Sequence, residues 1–88
     1  MSQWENVGPM DAEKKLKALL HEIDVVGEKW IELRTDSIFG PNKVLREVKF
    51  VMKAETPKRV LQKMERLAKL IHGLKLPEVP KIKLSLRR

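Results

Sequence analysis

The sequence predicts an α+β domain of order α-β-β-α-β, a small antiparallel sheet with two helices on one of its faces. Three observations carry this reading. Two segments repeat apolar residues at helical spacing, three others alternate apolar with polar residues, and turn-forming residues lie at most of the junctions. At 88 residues, 42% apolar and 35% charged, the chain suits one domain, with residues 1–10 as an arm or short edge strand and residues 11–88 as the single core.

The arm, MSQWENVGPM, has no period; Gly8-Pro9 marks its end, and Trp4 and Val7 are the residues that could enter a sheet. From Asp11 the pattern turns helical. Ala12, Leu16, Leu19, Leu20, Ile23 and Val26 share one arc, and Lys14, Lys15, Glu22 and Val25 lie outside it. Asp11 is the expected cap, Glu13 suits the first turn, and Gly27 is the expected left-handed stop.

Residues 28–35 alternate, with Ile31, Leu33 and Thr35 on one side and Trp30, Glu32 and Arg34 on the other. Residues 36–42 are dense in turn formers and read as a loose hairpin connection. Residues 44–54 form the second strand: Val48, Phe50, Met52 and Ala54 face one way, and Leu45, Glu47, Lys49, Val51 and Lys53 the other. Thr56-Pro57 starts the next helix, as a capping hydroxyl followed by proline at the first helical position. Its buried stripe is Val60, Leu61, Met64, Leu67, Ala68, Ile71 and Leu74, with the stop near Gly73. After Pro77 and Pro80, residues 81–88 alternate again, Ile82, Leu84 and Leu86 against Lys81, Lys83, Ser85 and Arg87.

A strand near Trp4 would complete β-α-β-β-α-β, a split sandwich that resembles the ferredoxin-like architecture. Without it, that arrangement leaves a central position vacant, giving three strands or a gap for a partner chain. The rival is a three-helix bundle with a basic tail. Leu16, Leu20, Ile23, Gly27, Trp30 and Arg34 nearly continue one helical stripe, and Val44, Leu45, Val48, Val51 and Met52 also fit a helical period. β-Branched and aromatic residues at Val25-Val26 and Val48 to Met52, with the clean alternation of the last segment, favour the strands.

Charge narrows the partner. Residues 1–40 carry −3 and residues 41–88 carry +10, which gives the overall +7. Such a polarised chain presents a local positive field that recruits polyanions, nucleic acid foremost. The thirteen lysines and nine glutamates, with few Asn, Gln and Cys, also fit a heat-adapted proteome. Thermal adaptation, however, raises both signs together and does not explain the imbalance.

Other classes lack their residues. No run of apolar residues exceeds three, so no membrane span and no secretory h-region is expected, and the default location is the cytoplasm. There is no cysteine, and glycines 8, 27, 40 and 73 are scattered, without a phosphate loop or dinucleotide fingerprint. His21-Glu22-Ile23-Asp24 places only part of a ligand set on one helical face, and three serines form no acyl-transfer arrangement. The expectation is a protein without cofactor, metal or enzymatic activity.

Two basic surfaces remain. If Ile31, Leu33, Val48, Phe50, Met52, Ile82, Leu84 and Leu86 pack under the helices, the opposite sheet face carries Trp30, Arg34, Lys49, Val51, Lys53, Lys81, Lys83, Ser85 and Arg87, a cationic platform with one large aromatic to stack a base. Lysines on an open face are also ordinary guards against edge aggregation. On the second helix Lys58, Arg59, Gln62, Lys63, Arg66 and Lys69 lie away from the apolar stripe, opposed by Glu65. Trp30, Arg34, Lys49, Lys53, Lys58, Arg59, Lys63, Arg66, Lys81, Lys83, Arg87 and Arg88 form the candidate nucleic-acid site, for DNA or RNA, with backbone contacts and little sequence readout. The alternative is a protein-interaction or assembly subunit, dimeric or heteromeric, anchored by Trp30, Ile38, Phe39 and Trp4.

Overall fold

A computed structural model describes residues 9–87, in the order α1 (Pro9–Val26), β1 (Ile31–Phe39), β2 (Val44–Met52), α2 (Lys58–His72) and β3 (Lys81–Leu86). The α-β-β-α-β order is present and the three-helix alternative is not. The expected strand at residues 2–7 lies outside the described residues. No described helix is long and apolar enough to cross a membrane.

The sheet has three strands in the order β1-β2-β3. β1 and β2 pair antiparallel through a turn in which Gly40 (φ 87°) and Lys43 (φ 52°) adopt left-handed backbone. The glycine takes that conformation without a Cβ penalty. β3, in contrast, runs parallel to β2, so the sheet is mixed and the antiparallel expectation is corrected. A hairpin reverses the chain, whereas the α2 crossover carries it back to the end from which β2 started, and the next strand must then run alongside. β3 also bonds directly to β2: Val48 is registered with Ile82 and Phe50 with Leu84. Among the described residues no strand or gap stands between them.

Both helices cover the same side of the sheet. Val48, Phe50 and Met52, every second residue of the central strand, are completely buried and meet Leu19, Leu20 and Ile23 of α1, Met64, Leu67, Ala68 and Ile71 of α2, and Ile82 of β3. Each large side chain removed from water in this cluster contributes about 1.5–3 kcal/mol. The helical stripes and the β2 set Val48, Phe50 and Met52 are those expected from periodicity; Ala54, expected to extend that set, lies exposed in the turn beyond the end of β2.

β1 departs from its simple alternation. The register passes from Ile31 opposite Met52 to Leu33 opposite Val51, so two residues face one across a bulge. Ile31 packs on the core, but Leu33 turns to the open side and is 57% exposed. Arg34 then lies opposite Phe50, on the helix side of the sheet. The strand also runs through Asp36–Phe39, which was expected to be a connection; the turn itself is Gly40 to Lys43.

Two local expectations are corrected by packing. Gly27 does not have a positive φ. Its requirement is space, because an added Cβ would lie 2.8 Å from the Ile31 side chain and 3.1 Å from Met64 Cε. The Thr56 hydroxyl does not cap α2 but donates to the Lys53 carbonyl at 2.6 Å, closing the turn after β2. Pro57, which precedes the first helical residue, is the cap, and its carbonyl accepts from Val60 and Leu61.

Candidate functional site

The strongest concentration of like charge is the outward side of α2. The buried stripe of this helix faces the sheet, so at 100° per residue Lys58, Arg59, Gln62, Lys63, Arg66 and Lys69 fall within an arc of about 140° on the solvent side. All six are exposed, as is Leu70 in the same arc, and Glu65 borders it. None of the five cations makes an ion pair with a described residue. Lys58 to Lys69 spans about 16 Å along the axis.

The arrangement is unfavourable for the isolated helix. Arg59–Lys63, Lys63–Arg66 and Arg66–Lys69 are like-charge neighbours three or four residues apart, each costing a few tenths of a kcal/mol. The first turn contains no acidic residue and no side chain caps it, so Lys58 and Arg59 stand at the positive end of the helix dipole. An anion laid along the arc relieves both repulsions.

The uncovered face of the sheet is a second basic surface, and its residues form rows across the strands. One row is Leu33–Val51–Ser85, the next Thr35–Lys49–Lys83, and the third Ser37–Glu47–Lys81. Lys49 and Lys81 are exposed and make no ion pair with a described residue. Lys83 Nζ is 3.3 Å from Glu47 Oε2, and Arg87 is paired with Glu32 across the central strand. This face is therefore partly neutralised and partly apolar, unlike the α2 arc.

The remaining candidates lie elsewhere. Arg34 is not on the open face. Its guanidinium hydrogen-bonds Asp24 of α1 and Asp36 of its own strand (Nε to Oδ1, 3.1 Å), with Cζ 5.6 Å from the centroid of Phe50. Partial burial works to lower its pKa, and the two carboxylates outweigh that and hold it above the ordinary arginine value. Trp30 is not a platform aromatic either; it ends the turn after α1 and packs half-buried against the core. Both corrections follow from the geometry around Ile31 to Leu33, where the turn and the bulge interrupt period two. Lys53 is half-buried just beyond β2, where its amide donates to the Trp30 carbonyl. Arg88 lies outside the described residues.

The twelve candidates thus do not form one surface. Lys58, Arg59, Lys63 and Arg66 face away from the sheet on α2, and Lys49, Lys81, Lys83 and Arg87 occupy the uncovered face of the sheet. Lys69 belongs with the first group by the same helical spacing. Elsewhere, a mostly aliphatic groove of about 580 Å³ runs between α1, the hairpin turn and the segment before β3, lined by Leu16, Leu20, Val44, Leu45, Leu76 and Pro80 with charged residues at its margin. Among the described residues, no three His, Cys, Asp or Glu side chains are grouped to hold a metal ion. No known protein family, curated protein or solved structure matches the chain.

Proposed function

We propose that this protein is a nucleic-acid-binding domain, and not an enzyme, whose principal contact is the outward side of α2. The observation that carries the reading is the row of five exposed cations without ion-pair partners among the described residues. Lysines act there as point charges and arginines as forks for phosphate oxygens. Among the described residues the α2 arc carries no aromatic ring for an unpaired base: Trp30 and Phe50 pack with the core, and the exposed Phe39 lies at the hairpin end of the sheet, beside Glu47 and Lys81. Contacts to the phosphates of a duplex therefore fit better than stacking on a single strand.

Titration against double- and single-stranded DNA and RNA over a range of salt tests this. With three to five phosphates neutralised, log affinity falls against log salt with a slope of about −3 to −4.5 on duplex DNA. The triple variant Lys63→Gln/Arg66→Gln/Lys69→Gln weakens binding to all duplex sequences alike and makes the slope shallower by about 2–3. Unchanged affinity and slope in that variant would overturn the reading.

A second reading has one observation in its favour. Ile38 and Phe39, beside the hairpin turn, are 55% and 59% exposed, an apolar pair suited to a protein partner. A stable dimer or heteromer in sedimentation that ignores oligonucleotides and is lost in Ile38→Ser/Phe39→Ser would favour an assembly subunit.

A further inference from the structure

The two basic surfaces point in opposite directions. The residues that alternate with Lys49, Lys81 and Lys83 are Val48, Phe50 and Ile82, which face the helices, so the lysines face the other way. The α2 cations, opposite Met64, Leu67, Ala68 and Ile71, project from the helical layer on the far side of the molecule. The longest principal-axis extent of the Cα atoms is 42 Å. A single duplex would have to fold through half a turn within that distance to touch both sides, which a persistence length of about 150 base pairs opposes.

We infer that one molecule joins two duplex segments, the first on the outward side of α2 and the second on the uncovered face of the sheet. This rests on the nucleic-acid reading above. The two sites are unequal. On α2 every cation in the arc lacks a partner among the described residues, whereas Lys83 and Arg87 on the sheet exchange a carboxylate for a phosphate, leaving Lys49 and Lys81 as the ready contacts. The α2 side fills first, and bridging is strongest when duplex exceeds protein. Excess protein coats each segment separately and releases the bridge. Second-copy packing on the sheet face is the poorer alternative, because the face carries four cations against Glu47 and Glu32 and meets its own sign.

The test is capture of a fluorescent DNA duplex by a second duplex fixed on beads, with the full chain added in increasing amount. Wild type captures the fluorescent duplex with a rise and then a fall as protein increases. Lys49→Glu/Lys81→Glu changes two exposed positions; it keeps affinity for one duplex within about threefold and loses at least tenfold in capture. Its melting temperature serves as the check on folding, with Lys49→Gln/Lys81→Gln as the milder variant. Lys63→Glu/Arg66→Glu/Lys69→Glu loses both readouts. Wild-type binding without capture overturns the bridge and leaves the α2 reading standing. Undiminished capture by Lys49→Glu/Lys81→Glu also overturns it, because two α2 sites of a dimer then account for the result. If wild type binds no duplex at all, the nucleic-acid reading falls and the bridge with it.

Discussion

Arg34 shows how one residue joins layers that its own strand does not connect. It reaches from the edge strand to Asp24 on α1 while its guanidinium sits beside Phe50, so it ties helix, edge and core together. The group is about one-third exposed, which keeps its worth small: a double-mutant cycle between Asp24→Ala and Arg34→Ala should give a coupling of about 0.5 kcal/mol. Gly27 is the opposite case, a residue defined by what it lacks. Gly27→Ala pushes a methyl group into Ile31 and Met64, and overpacking of that kind costs about 1–2 kcal/mol. Thermal denaturation should show a fall of roughly 4–16 °C for a domain of this size.

At the scale of the element, β3 is held on two sides by different means. The Arg87 amide donates to the Met52 carbonyl of β2, which places the odd-numbered amides of the strand toward its neighbour and the even-numbered ones toward the free edge. On that edge the Ile82 amide donates to Nε2 of His72 at 3.1 Å, so the last turn of α2 caps the strand that follows it. His72→Ala removes this acceptor at a cost of about 0.5–1.5 kcal/mol, and amide exchange measured by NMR should quicken at Ile82 more than at Val48 on the central strand. α2 itself balances a strongly apolar side against a self-repelling one. Lys63→Gln/Arg66→Gln/Lys69→Gln should therefore melt at the same temperature as wild type or slightly higher, while its duplex binding weakens.

At the scale of the molecule, a single cluster beneath one side of a three-stranded sheet supplies the packing for every described element. Phe50 is its largest fully buried side chain. Phe50→Ala should cost about 3–5 kcal/mol, a large share of the 5–15 kcal/mol available to a typical domain. Helical circular dichroism and tryptophan fluorescence should then report one common transition at much lower temperature, since neither helix has a second core to hold it. Among the described residues the other side of the sheet has no covering layer. Its partly neutralised charge, set against the unrelieved charge of α2, is the asymmetry on which the proposed order of filling depends.

The amino-acid sequence alone determined the order of elements, the buried stripes of both helices, the inward set Val48, Phe50 and Met52, and the cations on the far side of α2. These depend on periods of 3.6 and 2, which are local properties of the backbone. It could not determine that β3 lies parallel and adjacent to β2, because strand pairing is a contact between distant segments and alternation is the same in either direction. Nor could it determine the fate of Arg34, because a one-residue bulge reverses every side chain beyond it without altering the residue pattern, or that of Trp30, which the turn after α1 keeps out of the strand. The division of the basic residues between two opposite faces is likewise a tertiary fact. Charge can be counted along the chain, but the direction in which it points is decided only when the helices settle on one side of the sheet.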